Sequence, residues 1–352
     1  MSARSRLVLA VAACLSAWSA RPASPLPAPP AVPASLVGYL TRAGFAPVDI
    51  AAFAAGRPVS KLVEGSSPDQ AGAIGAVRID APLPQFKAGY VDVAKFEGGQ
   101  GVVAMSQIAV PARAEDFASL TMVPEDLDDL RSCTVRDCDV NLSWNAITRF
   151  QRIDWSAPDA ERRALDSLRA IMRDYVSAYQ HLGSPALIVY HDRGYPMPVA
   201  ESSPRLFRDS RALLPVPHVA DYFEQYRALP RPDGADEFFY WQQVTFGMKP
   251  VTRISHAILM PFVFDGRPSW AMVSRMLYAS HYFRDGLELR FLIPVDARAP
   301  AAGFYFISIN RSHSESLVGW KGRFIGGAIR RKVRDSIGRY VATIKTRLEA
   351  GR

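Results

Sequence analysis

Cysteine is scarce in this chain: three among 352 residues. That excludes a disulfide-dense mini-domain and a four-cysteine zinc module. The six histidines show no ligand spacing with one another. After the N-terminal segment no apolar run reaches the ~18 residues a membrane-spanning helix requires. Gly99 and Gly101, and later Gly326 and Gly327, lack the Lys and Ser/Thr that complete a phosphate loop. Ser202 and Ser203 lack the glycine-flanked elbow of a hydrolase nucleophile. Asp126, Asp128 and Asp129 read as a solvated run, because a calcium loop needs a longer oxygen pattern ending in Glu. No complete catalytic, metal or nucleotide motif results, and no cofactor is expected.

What is present starts at the N-terminus. Arg4 and Arg6 precede an apolar stretch at residues 7–13, followed by small residues, which is the pattern of a secretory signal over residues 1–19. Two processing readings stand side by side. Ala17-Trp18-Ser19 fits cleavage to a soluble protein, whereas Val11-Ala12-Ala13-Cys14 fits a lipobox with lipid attached to Cys14. Residues 20–35 are a Pro-rich, extended spacer in either case. A periplasmic or envelope-associated location is therefore expected. In an oxidising compartment Cys133 and Cys138, five residues apart, are expected to form a disulfide.

With 49% hydrophobic and 22% charged residues the chain has globular composition. One domain over residues 36–352, with a helical insertion at about 144–236, is the expected organisation. The net charge of +8 is concentrated at one end. Residues 319–352 hold ten Lys/Arg against Asp335 and Glu349, so the remainder balances to zero. The basic face is either simply solvated or meets an anionic membrane surface; export argues against nucleic acid.

Hydrophobic periodicity gives the elements. Residues 35–63 read as two short helices, residues 75–81 as a strand, and the stretch to Phe96 as helical. Further strands are expected at 101–110 and 117–123, and a helix from Ser156 to Leu182 carries the stripe Leu165, Leu168, Met172, Tyr175 and Tyr179. Residues 238–245, 251–264, 270–283, 286–294 and 303–310 alternate as strands joined by short Gly-containing turns, which implies an antiparallel meander. The closing helix runs about 30 residues, with Trp320, Phe324, Ala328, Val333, Ile337, Tyr340, Val341, Ile344 and Leu348 as its apolar set. The fold class expected is α+β, with the meander packed on this helix. Its glycines 322, 326 and 327 are expected to fray or kink its start.

Strand, helix, antiparallel meander and one long final helix is an order of elements that resembles the START-like, helix-grip superfamily of lipid-transfer and polyketide-cyclase proteins. Residues 75–96 and 238–348 carry the likeness. It implies a curved sheet wrapped on the last helix, with an apolar cavity between them. The local sequences at residues 278–283 and 324–331 also resemble those of uncharacterised exported bacterial proteins. Neither resemblance transfers a catalytic residue.

Candidate ligand-binding residues on this reading are His256, Met276, Tyr278, His281, Tyr282, Arg290 and Phe291. His256 shares an apolar strand face with Ile254, Ile258, Met260 and Phe262, where a lone histidine is most often a core residue with a partner. The orientation of His281 depends on the following turn. A two-residue Asp285-Gly286 turn puts Tyr278 and Tyr282 on the face of Phe291, and a three-residue loop puts His281 there instead. The expected function is non-enzymatic binding of an apolar small molecule or lipid. An exported cyclase- or hydrolase-type enzyme using His281 and Tyr278 is the alternative, and an envelope scaffold with a solid interior is the third.

Overall fold

Short turns and period-two apolar alternation build most of the sheet. The computed structural model describes residues 31–86, 101–216, 218–245 and 249–351. The strands in chain order are β1 (Val59–Leu62), β2 (Gln70–Ile79), β3 (Val102–Ile108), β4 (Val189–Tyr190), β5 (Met197–Pro198), β6 (Asp236–Val244), β7 (Val251–Phe264), β8 (Arg267–Ala279), β9 (Asp285–Pro294) and β10 (Phe304–His313). Among the described residues, eight of them form one antiparallel sheet in the order β1-β2-β10-β9-β8-β7-β6-β3. β4 and β5 make a separate two-stranded ribbon. β7 and β8 meet at Asp265-Gly266, both with positive φ (51° and 73°), the two-residue hairpin whose twist matches that of the strands.

The two sheet faces bury different layers. One face packs Ile74, Phe239, Trp241, Ile254, Ile258, Leu289, Phe291 and Ile307. It is covered by α1 (Ala34–Arg42), α2 (Pro47–Ala54) and the helices between β3 and β6: α3 (Pro124–Ser132), α4 (Trp144–Phe150), α5 (Ala160–Leu182), α6 (Val199–Ser210) and α7 (Val219–Glu224). The opposite face packs Val77, Ile79, Leu259, Met272, Leu292, Phe304 and Phe306 with Val341, Ile344 and Leu348 of α8 (Gly319–Ala350). The antiparallel α+β architecture with a C-terminal helix is thus the one read from the sequence.

Several finer expectations are corrected. The spacer gives way to structure before Ser35. Val32 packs on the core, and the Pro33 carbonyl accepts from the backbone N–H groups of Leu36 and Val37, opening α1. Residues 59–62, read as the end of a helix, form β1 instead. Residues 117–123 hold no strand; Glu115–Phe117 is a single 3-10 turn. The signal, Cys14, the spacer up to residue 30 and the helix read through Tyr90, Val93 and Phe96 lie outside the described residues.

The closing helix runs without a break from Gly319 to Ala350, through the glycines at its start. It does not lie lengthwise across the meander. Its main contacts with strands are with β2, β1 and β10, and its buried large side chains are Ile337, Val341, Ile344 and Leu348. Small residues make this approach possible: a Cβ on Gly75 of β2 would meet Ile337 O at 3.2 Å and Val341 Cγ1 at 3.0 Å. Phe324 and Ala328, read as part of the packed stripe, are exposed. At 100° per residue they lie roughly 140° and 180° around the helix from Ile337, so the five-residue step from Ala328 to Val333 breaks the phase.

Candidate functional site

The α-helical insertion buries a polar cluster against the sheet. His256 on β7 is fully buried, with ring contacts to Phe223, Tyr226 and Phe239. Its Nε2 meets Glu237 Oε1 at 2.9 Å, and its Nδ1 meets the Tyr179 hydroxyl at 3.0 Å. Burial lowers the imidazole's pKa despite Glu237, so the ring is neutral, donates from Nε2 and accepts from Tyr179. Burial alone would raise Glu237, but hydrogen bonds from His256 and Tyr222 hold its carboxyl below the ordinary range. The Tyr179 hydroxyl is pushed up to about 12, mainly by burial. Arg275 on β8 is the register partner of His256 and is also buried. Its Nη1 donates to the Phe223 carbonyl at 2.7 Å and to Ser184 Oγ at 3.2 Å. Every polar arm of His256 is therefore engaged inside the core, which is the structural role its apolar strand face suggested.

A second polar group surrounds the connection from β8 to β9. Asp285 and Gly286 are not its turn; they belong to β9, and Gly286 pairs with Met276. Both orientations expected of His281 fall with that turn. Instead His281 sits beyond the end of β8, with Nε2 2.9 Å from Asp126 Oδ1 and Nδ1 3.0 Å from the Asp139 carbonyl. Both nitrogens are engaged, so neither is free to take a substrate proton. Asp126 and Asp129, read as solvated, also bind the Lys249 ammonium. Burial alone would lower Lys249, yet the two carboxylates hold it above its usual value. Arg284 spans Asp69 and Glu315, each at 2.7 Å.

His281, Asp129, Lys249, Arg284 and Glu315 wall a polar cleft of about 260 Å³, to which Asn141, Tyr190, Arg193 and Tyr282 also contribute. The loop that leads to Asp139 of its lining is closed by the disulfide Cys133–Cys138, with Cα atoms 4.5 Å apart. Behind it Asp192 has no side-chain exposure, and burial pushes its carboxyl up to about 6 against backbone N–H groups and Arg193.

The α8 side of the sheet carries a third group. Strand alternation places Gln242, Arg253, Ser274, Glu288, Arg290, Ser308 and Asn310 on this face; Gln242 pairs with Arg253, Glu288 lies between Ser274 and Asn310, and Arg290 pairs with Ser308. Glu288 receives Arg253 at 3.3 Å and Arg290 at 3.1 Å. The Arg290 guanidinium lies 4.9 Å from the centre of the Tyr340 ring on α8, a cation–π arrangement. Tyr240 and Ser274 share a hydrogen bond at 3.2 Å. Ser308 is fully buried, and neither its Oγ nor Asn310 Oδ1 has a hydrogen-bond partner.

The seven sequence candidates thus divide among three places. His256, Tyr278 and Phe291 face the helical insertion, Met276 and Arg290 face the α8 side, and His281 and Tyr282 stand at the polar cleft. The shared cavity expected for them does not bring them together. A second hollow, about 360 Å³, is lined by Arg339, Ala342, Thr343, Thr346 and Arg347 on the outer side of α8. Neither hollow lies under the buried face of α8. Among the described residues no three His, Cys, Asp or Glu side chains are grouped to hold a metal, and no helix is long and apolar enough to cross a membrane.

Sequence reading missed the partners that matter: Glu237, Asp126, Lys249 and Arg275 come from elements remote in the chain. Only the polar interruptions of otherwise apolar strands, such as Arg275 and Arg290, offered a signal. No family model, curated protein or solved structure matches the chain.

Proposed function

We propose that this chain is a non-enzymatic carrier of the START-like kind. It would hold an apolar-bodied small molecule or lipid, with its polar head toward the row around Arg290, between the sheet and α8. One observation carries the reading: polar side chains on five strands, β6 to β10, interrupt the apolar face toward α8, and Ser308 Oγ among them is fully buried with no partner. An unmade buried hydrogen bond costs about 1–3 kcal/mol, a cost that a ligand head group would remove. Phe304, Phe306, Leu292, Met272 and Leu259 supply apolar surface beside that row for the ligand body. The strand order, in which β2 pairs with β10 and the meander follows, supports the helix-grip likeness.

The signal-like residues 1–19 and the disulfide support an exported, periplasmic or envelope-associated carrier, with Cys14 as its lipid attachment point where the lipobox is used. The acid–base alternative has less support, because His281 has both nitrogens engaged.

Native mass spectrometry of protein purified from the envelope tests the proposal. A co-purifying lipid-sized mass is expected, and it should be lost or weakened in Arg290→Ala and in Ser308→Ala, which removes the unpartnered hydroxyl. A bare polypeptide mass, combined with no uptake of a fluorescent fatty acid, would overturn it.

A further inference from the structure

We propose that the first half of α8 docks on an anionic phospholipid surface. This stands apart from the carrier reading, since it needs no cavity. The helix is divided in two by its packing. Its second half is held to β1, β2 and β10 through Ile337, Val341, Ile344 and Leu348. Its first half rests on the turn Glu315–Leu317 through glycine. A Cβ on Gly322 would fall 2.2 Å from the Leu317 carbonyl oxygen, and Gly326 faces Leu317 Cδ2 at 3.9 Å. That bare side of the helix is the side that packs. The large apolar residues therefore point away from the protein: Phe324 is 81% exposed and Ile325 48%.

The charge lies in the same half. Between Gly319 and Arg334 the sequence has six Lys/Arg and no Asp or Glu. Arg331 and Lys332 are exposed on the turns that follow Phe324 and Ile325. Arg330 is occupied by the Pro68 and Gln70 carbonyls, and the nearest acid, Asp335, is paired with Arg334 at 2.8 Å. An aromatic and an aliphatic side chain projecting beside unpaired cations match a lipid interface. The apolar pair enters the acyl boundary while the cations meet phosphates. A second copy fits poorly, because a symmetric contact through this patch would set like charges against each other.

The test is flotation of the mature protein, carrying Cys14→Ser so that no attached lipid contributes, with vesicles of phosphatidylcholine alone or containing phosphatidylglycerol. Binding is expected only with phosphatidylglycerol and should weaken as salt rises. The double variants Phe324→Ser/Ile325→Ser and Arg331→Glu/Lys332→Glu should each lose about tenfold or more in partitioning. Both change exposed positions, and unchanged thermal unfolding checks that the fold is intact. Absence of binding to phosphatidylglycerol vesicles would overturn the proposal, as would equal binding by wild type and both variants. Sedimentation provides a further arm: a dimer that Phe324→Ser/Ile325→Ser dissolves, with vesicles left unbound, would assign this face to a second copy instead.

Discussion

Asp285 and His313 stand opposite each other at one end of β9 and β10, and the carboxylate meets Nδ1 at 2.6 Å with both side chains out of contact with water. The pair ties the start of β9 to the end of β10, while His313 Nε2 approaches the Gln70 amide on β2 at 3.1 Å. Removing one member leaves the other buried without its partner. Asp285→Ala or His313→Ala should therefore cost about 3–5 kcal/mol in urea unfolding, more than either residue's share of contacts. A cost below 1 kcal/mol would show that the pair holds nothing together.

The disulfide should act through the unfolded chain. Cys133 and Cys138 enclose a short loop, for which chain-entropy arithmetic gives about 2 kcal/mol. The double variant Cys133→Ser/Cys138→Ser should lower the unfolding free energy, measured in urea, by that amount. The loop also carries Asp139 toward His281, so hydrogen exchange at Asp139 to Asn141 should rise in the variant.

Asp192 gives a pH signature of definite sign. Its folded pKa is raised to about 6 from an ordinary carboxylate value, so the folded state binds the proton more tightly than the unfolded one. Stability from this group is present at low pH and lost as pH climbs through about 6. The full shift corresponds to roughly 3 kcal/mol as an upper figure, at 1.36 kcal/mol per unit. Relative to wild type, Asp192→Asn should gain stability between pH 4 and 7, measured as a difference in Tm. A difference independent of pH would refute the assignment.

Packing between β2 and α8 should be sensitive to single carbons. Ile337→Ala should cost about 2–4 kcal/mol, and Ile337→Asp should abolish folding. Gly75→Val should also destabilise, because its side chain would enter the space held by Val341 and the Ile337 carbonyl. Arg331→Ala, exposed and unpaired, should stay within about 0.5 kcal/mol of wild type.

What the sequence made legible was local. The strand at residues 251–264 and its Asp265-Gly266 turn follow from alternation and turn chemistry, which act within a few residues. The same dipeptide at Asp285-Gly286 misleads, since a buried histidine 28 positions later draws the aspartate into a strand. The four residues of β1 are all half-buried and show no alternation to read. Candidate-site residues were hardest where their role depends on remote partners. Asp126 looks solvated beside Asp128 and Asp129 until α3 brings it to His281, 155 residues away. Phe324 looked like core because its spacing is helical, but only the glycines facing Leu317 decide which side of that helix is inside.

The pairing of β2 with β10 has a consequence for how the chain reaches this state. Ile79 finds Phe304 across 225 residues, and no strand nearer in sequence fills the β10 side of β2. Until β10 exists, β1 and β2 form a hairpin whose open edge exposes unpaired backbone groups, and the α8 that covers its face follows later still in the chain. Such long-range closure makes for slow folding and a long-lived adhesive edge. Until β10 arrives, that edge of β2 is the place where pairing with another molecule would compete with folding.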